Sequence, residues 1–167
     1  MKNPSRQYWL MKSEPGCFSL DDLKHAPAAT SCWDGVRNYQ ARNLLRDSIV
    51  PGDGVLFYHS NIPHPAIVGL AQVVSQGYPD HTALDPTQEH FDPRSSTDNP
   101  IWYMVDVQYR AELAAPLTRQ LLAQHPLLSG MEVLKKGNRL SVQPVKEDEW
   151  RAVLVLAGLD DPLLSLS

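Results

Sequence analysis

Many of the signatures that reveal a common enzyme or a secreted protein are missing from these 167 residues. There are only two cysteines, Cys17 and Cys32. They have neither metal-ligand spacing nor a pairing pattern, so a reducing compartment is expected. Met1 to Gln7 holds no apolar run of the kind a secretion leader needs. No apolar stretch approaches the ~20 residues of a membrane span. The expectation is a cytoplasmic protein with no membrane partner. The chain also lacks a phosphate-cradling glycine loop, a Gly-x-Ser-x-Gly elbow and a His-Glu-x-x-His pair. Excess positive charge is absent too. The net charge is −4 and the pI near 5.8, whereas a nonspecific duplex binder usually has a domain pI above ~9.

The charge that is present is uneven. Residues 1–46 carry seven Lys/Arg against four Asp/Glu, residues 47–112 two against nine, and residues 113–151 six against four. A basic front and back around an acidic middle leave one positive groove open as a possibility, touching a few phosphates in a salt-sensitive way. Hydrophobic residues make up 43% and charged residues 20%, ordinary for a globular domain large enough to build a core. With no repeat, linker or low-complexity run, one domain spanning 1–167 is expected, working as a monomer.

Gln7 to Lys12 has strand composition and ends at Pro15-Gly16. Ser19 caps a short helical turn. Val55 to His59 reads as a buried strand, and Ala66 to Val74 as another, with Gly69 marking a bulge or bend. Pro79 to Pro100 has no periodicity, and loops of that length tend to be functional. Ile101 to Val107 is a strand, Thr118 caps a helix through Leu122, and Ser129 to Lys136 gives another helix closed by Gly137. Arg139 to Gln143 alternates like a strand, and Glu147 to Ala157 is a last helix ended by Gly158. Five or six short strands with interspersed short helices predict an α+β fold whose sheet is a closed or nearly closed barrel.

The most informative stretch is Cys32 to Asn43. A strand ends near Trp33, a turn follows at Asp34-Gly35, and a helix opens with Asn38 as its N-cap and runs to about Asp47. Ala41, Leu44 and Leu45 mark the buried face of that helix, and Arg42 and Arg46 an exposed edge. A flat indole, hydrogen-bonding edges and guanidiniums around one turn suit a nucleobase pocket. The competing reading makes Trp33 a core anchor, Asn38 a plain cap and the arginines a solvated face.

The motifs Trp9-Leu10-Met11-Lys12-Ser13-Glu14-Pro15 and Cys32 to Asn43 resemble those of the EVE domain family. Tyr58-His59-Ser60-Asn61, Tyr78 to His81, the Pro100 to Val107 strand and Asn138 to Pro144 fit that resemblance, which runs from about Tyr8 to Trp150. It implies a PUA-like β-barrel related to the YTH domains, and a binding role: a modified base in DNA or RNA, or a small base-like ligand, with no cofactor and no metal. Trp33 would then be one wall of an aromatic cage, with Tyr58, Tyr78 or Phe91 as further walls and Val36 as an apolar niche. Ser13, Glu14 and Asp34 would face the base edge, with Asn38, Ser60 and Asn61 nearby. Lys12, Arg37, Arg42, Lys136 and Arg139 would lie near the nucleic-acid backbone. The family's eukaryotic members carry a basic N-terminal tail, and only seven residues precede the first strand here.

Residues 78–93 also hold Asp80, His81, Asp85, Glu89, His90 and Asp92. They raise an alternative, an enzyme acting on modified nucleotides or bases with these groups as acid, base or metal ligands, although the spacing matches no strong ligand motif. Cys32 with a histidine such as His59 is a weaker catalytic candidate, since a buried thiol is usually inert.

Overall fold

The computed structural model describes residues 6–165, and most of the N-terminal stretch searched for a leader lies outside them. Strand β1 (Tyr8–Ser13) alternates its side chains between two apolar layers. Tyr8 and Leu10 enter one core cluster, and Trp9 and Met11 the other. Every inward position on both faces is therefore filled, which explains its near-continuous hydrophobic run. The other strands are β2 (Thr30–Cys32), β3 (Gly54–His59), β4 (Ala66–Val73), β5 (Tyr78–Pro79), β6 (Tyr103–Met104), β7 (Asp106–Thr118) and β8 (Val142–Val145). Six of them form one sheet in the order β2-β7-β4-β3-β1-β8, while β5 and β6 pair separately.

Within the sheet only the β1–β3 ladder is parallel, in register from Tyr8 opposite Gly54 to Ser13 opposite His59. Among the described residues no ladder joins β2 to β8. The sheet expected as a closed or nearly closed barrel is an open, curled half-barrel, α+β and PUA-like in outline. Its curl brings the end of β1 close to the end of β2, although three strands lie between them in the order. The Gly69 bend is real: the β4–β7 register shifts between Ile67 and Gly69. A Cβ at Gly69 would stand 2.4 Å from Leu20 Cδ2 and 2.8 Å from the Ala111 carbonyl.

Helix α1 (Leu20–His25) starts with a capping box in which Ser19 accepts from the Asp22 N–H and Asp22 accepts in return. Helix α2 (Tyr39–Asn43) begins at Asn38, whose Oδ1 accepts from the Ala41 N–H at 3.0 Å. It then widens into a π turn over Leu44–Ser48. Helix α3 (Arg119–Gln124) is capped by Thr118, and α4 (Glu147–Ala157) ends at Gly158 in the left-handed conformation.

Three expectations change. The strand placed at Ile101–Val107 is split between β6 and β7, and β7 runs on to Thr118. Its outer half alternates around Leu113 and Leu117 with too few apolar residues to stand out. The helix placed at Ser129–Lys136 is one 3₁₀ turn, Glu132–Leu134. So short a segment cannot offset the cost of helix nucleation, and Met131 and Val133 are instead plugged into the core. The last strand shifts to Val142–Val145, with Pro144 tolerated because β8 is a sheet edge.

Asp53, 2% exposed, ties the start of β1 to the turn before β3. It accepts from Trp9 Nε1 at 2.9 Å, Gln7 Nε2 at 3.1 Å, and the backbone N–H groups of Gln7 and Val50. Asp53→Ala strands these donors in a buried position. It is expected to lower stability by about 3 kcal/mol, read as a lower urea midpoint at unchanged slope.

Candidate functional site

The cleft between the curled ends of the sheet has a volume of about 510 Å³. One side is the end of β1 and the turn after it: Lys12, Ser13, Glu14, Cys17 and Phe18. The opposite side is the end of β2 and the turn that follows: Ser31, Cys32, Trp33, Asp34 and Gly35. Glu89 and His90 close it from the long loop.

Each wall has a local reason for its shape. Ser13 Oγ donates to the Phe18 carbonyl, and the Cys17 and Phe18 N–H groups donate to the Glu14 carbonyl, so the turn after β1 folds back on itself. The Trp33 N–H donates to the Val105 carbonyl at 2.7 Å. Gly35 then takes φ +78, which lets the chain reverse and leaves room for the His90 imidazole. A Cβ at that position would lie 2.7 Å from His90 Cδ2.

The loop wall is fastened by Asp80, which is 1% exposed. Its Oδ2 accepts from the Gly35 N–H at 2.8 Å and from Arg37 Nη1 at 2.9 Å. Its Oδ1 accepts from the Thr82 N–H and hydroxyl. Arg37 also donates to the His90 carbonyl through Nε at 3.0 Å and Nη2 at 2.7 Å. Burial alone would push the Asp80 carboxyl up, but the bonds from Thr82, Gly35 and Arg37 outweigh it and hold the carboxyl below its usual range.

Of the residues expected at a base, Ser13, Glu14, Trp33 and Asp34 share the cleft, together with Lys12 from the expected backbone group. The others stand elsewhere. Val36 is in the core beside the cleft. Tyr58 is buried on the far face of the sheet, where burial pushes its hydroxyl up. Ser60 and Asn61 sit in the turn after β3, Asn61 at φ +57. The Tyr78 hydroxyl is bonded to Asp106, its pKa raised by burial and by that carboxylate. Phe91 is exposed on the loop and outside the cleft lining. Asn38 and Arg139 line a second, shallower depression, and Lys136 is exposed near it. Arg37 is committed to Asp80 and His90. Arg42 donates to the Ile101 carbonyl and lies over the Tyr39 ring, which stacks on Trp102.

Sequence reasoning missed Phe18, which had a usable signal, an aromatic three residues past the Ser13-Glu14-Pro15 turn. Glu89 and His90 were singled out only as acid, base or metal-ligand candidates of the long loop, because the contact of His90 with Gly35 spans more than fifty residues.

Trp33 is 6% exposed and stands perpendicular to Phe57 at 5.3 Å and to Phe18 at 6.4 Å. The protein has four tryptophans. Trp9 donates its indole N–H to Asp53, Trp102 to Asp92 and Trp150 to Asp161. The Trp33 indole N–H meets no acceptor among the described residues. Nor is it one of the buried unpaired side-chain atoms, which are the Tyr58 hydroxyl and Gln143 Oε1, so solvent reaches it.

The catalytic candidates have other duties. Asp80 is saturated by four donors. His59 Nε2 accepts from the Leu20 N–H, and burial pulls its pKa down. Burial, with Asp34, Asp106 and Asp80, pushes the Cys32 thiol up. Among the described residues no three His, Cys, Asp or Glu side chains converge as a metal site would require.

An open, curled six-stranded sheet flanked by short helices, with a cleft between its ends, defines the PUA-like class. The chain belongs to the EVE domain family, whose profile matches residues 7–156. It is 44% identical to human thymocyte nuclear protein 1, covering 93% of this chain and 76% of that protein. Against the zebrafish protein of the same name it is 42% identical, covering 96% and 75%. A hypothetical protein from Leishmania major superposes with a TM-score of 0.86 at 46% identity, covering 92% and 96%. The crystal structure of human THYN1 protein in complex with DNA containing 5-methylcytosine superposes at 0.82, with 42% identity and 93% and 99% coverage. A YTH domain in complex with N6-methyladenosine RNA, at 13% identity and 0.54, shares the fold. These relatives also correct the cytoplasmic expectation, since the vertebrate proteins are named as nuclear. Cysteine usage could not have separated the two compartments, because thiols stay reduced in both.

Asp80 gives a pH test. Its carboxyl is held below the usual carboxylate range in the folded protein, so its stabilisation is present above the unfolded pKa and fades as pH falls through the lower folded pKa. The stability gap between wild type and Asp80→Asn should be constant above about pH 5 and shrink below about pH 4, as read by urea titrations along a pH series.

Proposed function

We propose that this protein is a reader of methylated DNA that holds a 5-methylcytosine in the cleft beside Trp33. The observation that carries the reading is the Trp33 indole N–H, unpaired and solvent-reached where the other three are bound to aspartates. A donor on a cleft wall suits the acceptor edge of a pyrimidine. Glu14, Asp34 and Glu89 suit the exocyclic amine, which cytosine has and thymine lacks. Phe18 offers an apolar surface for the methyl group, a preference worth about 1–3 kcal/mol per such group. The 42%-identical human protein crystallised with DNA containing 5-methylcytosine supports the same ligand. Both core clusters draw on residues from all along the chain, which supports one domain as the binding unit.

The cleft opens at the surface and cannot accept a base still stacked in a duplex, so the base must be flipped out or single-stranded. Wild type is expected to bind a 5-methylcytosine oligonucleotide at least about tenfold tighter than its unmethylated twin. Trp33→Phe keeps an aromatic in the core, removes the donor and leaves a small cavity where the larger indole stood. It should weaken the methylated complex by about five- to tenfold with a modestly lowered melting temperature and a cooperative transition, measured by fluorescence anisotropy and thermal unfolding. Equal affinity of wild type for the two oligonucleotides would sink the reading.

A further inference from the structure

The cleft is more acidic than a neutral base requires. Glu14 and Asp34 stand on its two facing walls, and Glu89 on the loop that closes it. None of the three takes part in an ion pair, although six pairs are found among the described residues. The Cys17 thiol approaches one of them, its Sγ 4.0 Å from Glu14 Oε2, which is a weak contact. The one ammonium in the lining does not offset this charge. Lys12 lies opposite Tyr58 in the parallel β1–β3 ladder, so its side chain leaves the sheet with Tyr58, on the face away from Trp33. Arg37 is committed to Asp80 and the His90 carbonyl. The Cys32 thiol on the cleft wall responds to the resulting field. Burial pushes it up first, and Asp34, Asp106 and Asp80 push it further.

Carboxylates gathered at a surface are ordinarily solvated and bind nothing in particular. Two further features set this group apart. It surrounds a cavity of about 510 Å³ whose lining also holds three flat rings, Phe18, Trp33 and His90. The Trp33 indole N–H, in a residue only 6% exposed, is also unpaired among the described residues, on a residue that lines the same cavity. One site thus combines a fixed donor, aromatic faces and unpaired negative charge. A flat cation with an acceptor on its edge uses all three. Aromatic faces attract cations electrostatically, and a carboxylate bonds a charged donor about twice as strongly as a neutral one.

We propose that the cleft also takes cationic nucleobases, those alkylated on a ring nitrogen of the hydrogen-bonding edge, and holds 3-methylcytosine more tightly than neutral 5-methylcytosine. Methylation at N3 spreads a positive charge over N3 and the exocyclic amine at neutral pH. That amine becomes a charged donor for Glu14, Asp34 and Glu89, while O2 remains an acceptor for the Trp33 N–H. The same methyl group blocks Watson–Crick pairing. A base that is already unpaired leaves the stack at the least penalty, which suits a cleft closed to stacked bases. The inference rests on the reading of the cleft as a base site and adds the charge of the base it prefers.

Two isomeric nucleosides separate the claims, since 3-methyldeoxycytidine and 5-methyldeoxycytidine differ in charge and not in atoms, and neither carries a phosphate. By isothermal titration calorimetry at low salt, wild type should bind the 3-methyl isomer at least about tenfold tighter. Raising salt from about 20 mM to about 500 mM should remove most of that advantage and leave the 5-methyl affinity nearly unchanged. The double variant Glu14→Gln, Glu89→Gln should lower the 3-methyl affinity about tenfold and the 5-methyl affinity by no more than about threefold. Both side chains are exposed, so thermal unfolding should match wild type. Equal affinity for the two isomers, with 5-methyldeoxycytidine still preferred over deoxycytidine, overturns the cationic preference and leaves the 5-methylcytosine reading standing. Tight, salt-sensitive binding of the 3-methyl isomer, with no difference between 5-methyldeoxycytidine and deoxycytidine, keeps the inference and overturns that reading. A 3-methyl preference indifferent to salt and to the double variant overturns the role given to the carboxylates, and binding of neither isomer overturns the inference outright.

Discussion

The Asp80 carboxylate is the fastening on which the wall of the cleft depends. Placing a carboxylate in a buried position is costly unless its charge is compensated and its lone pairs are occupied. Here Arg37 compensates the charge, and Gly35 and Thr82 fill the remaining acceptor positions. The donors come from two segments far apart in sequence, the turn after β2 and the start of the long loop. The first segment has no regular element of its own and the second only the two-residue β5 and one 3₁₀ turn, His81–Leu84, so each helps to order the other. Arg37 extends the link by gripping the His90 carbonyl, and His90 in turn rests on Gly35. The cleft wall is therefore a closed circuit of contacts, and removing any one loosens the rest.

That circuit explains what could and could not be read from the chain. The strands β1, β3 and β4, the caps at Ser19, Asn38 and Thr118, and the Gly69 bend were legible because each is a local rule applied within a few residues. Ser13, Glu14, Trp33 and Asp34 were legible as site residues because two short motifs carry them. Arg37 was read as a phosphate contact, a sensible use of an arginine after a turn, and its partners cannot be guessed without the fold. The same holds for Tyr58. Its motif neighbours the site in sequence, yet strand alternation sends its ring to the opposite face of the sheet from Trp33. Full closure of the barrel was not legible for a related reason. Strand count limits how far a sheet can curl, whereas closure depends on whether its two edge strands pair, and edge pairing leaves no mark in the periodicity of either strand.

Trp33 unites the two readings that competed at the outset. It is a core residue by burial, packed against Phe57 and Phe18, and a cleft residue by its free N–H. A ring so thoroughly packed keeps one orientation, and a donor that does not wander loses little entropy when it meets an acceptor. The same packing leaves little of the ring face uncovered, so a base bound as proposed would stack mainly on the other flat groups of the rim, Phe18 and His90.

The electrostatics of the whole chain bear on how such a reader would work. With a net charge of −4 and three carboxylates around the cleft, the protein does not draw in DNA by a general positive field, and long-range steering is weak. Nonspecific affinity, which comes almost entirely from phosphate contacts, is correspondingly small. For a reader of a rare mark this is an advantage. The genome offers vastly more unmodified than modified sites, so what matters is the ratio of specific to nonspecific binding rather than affinity alone.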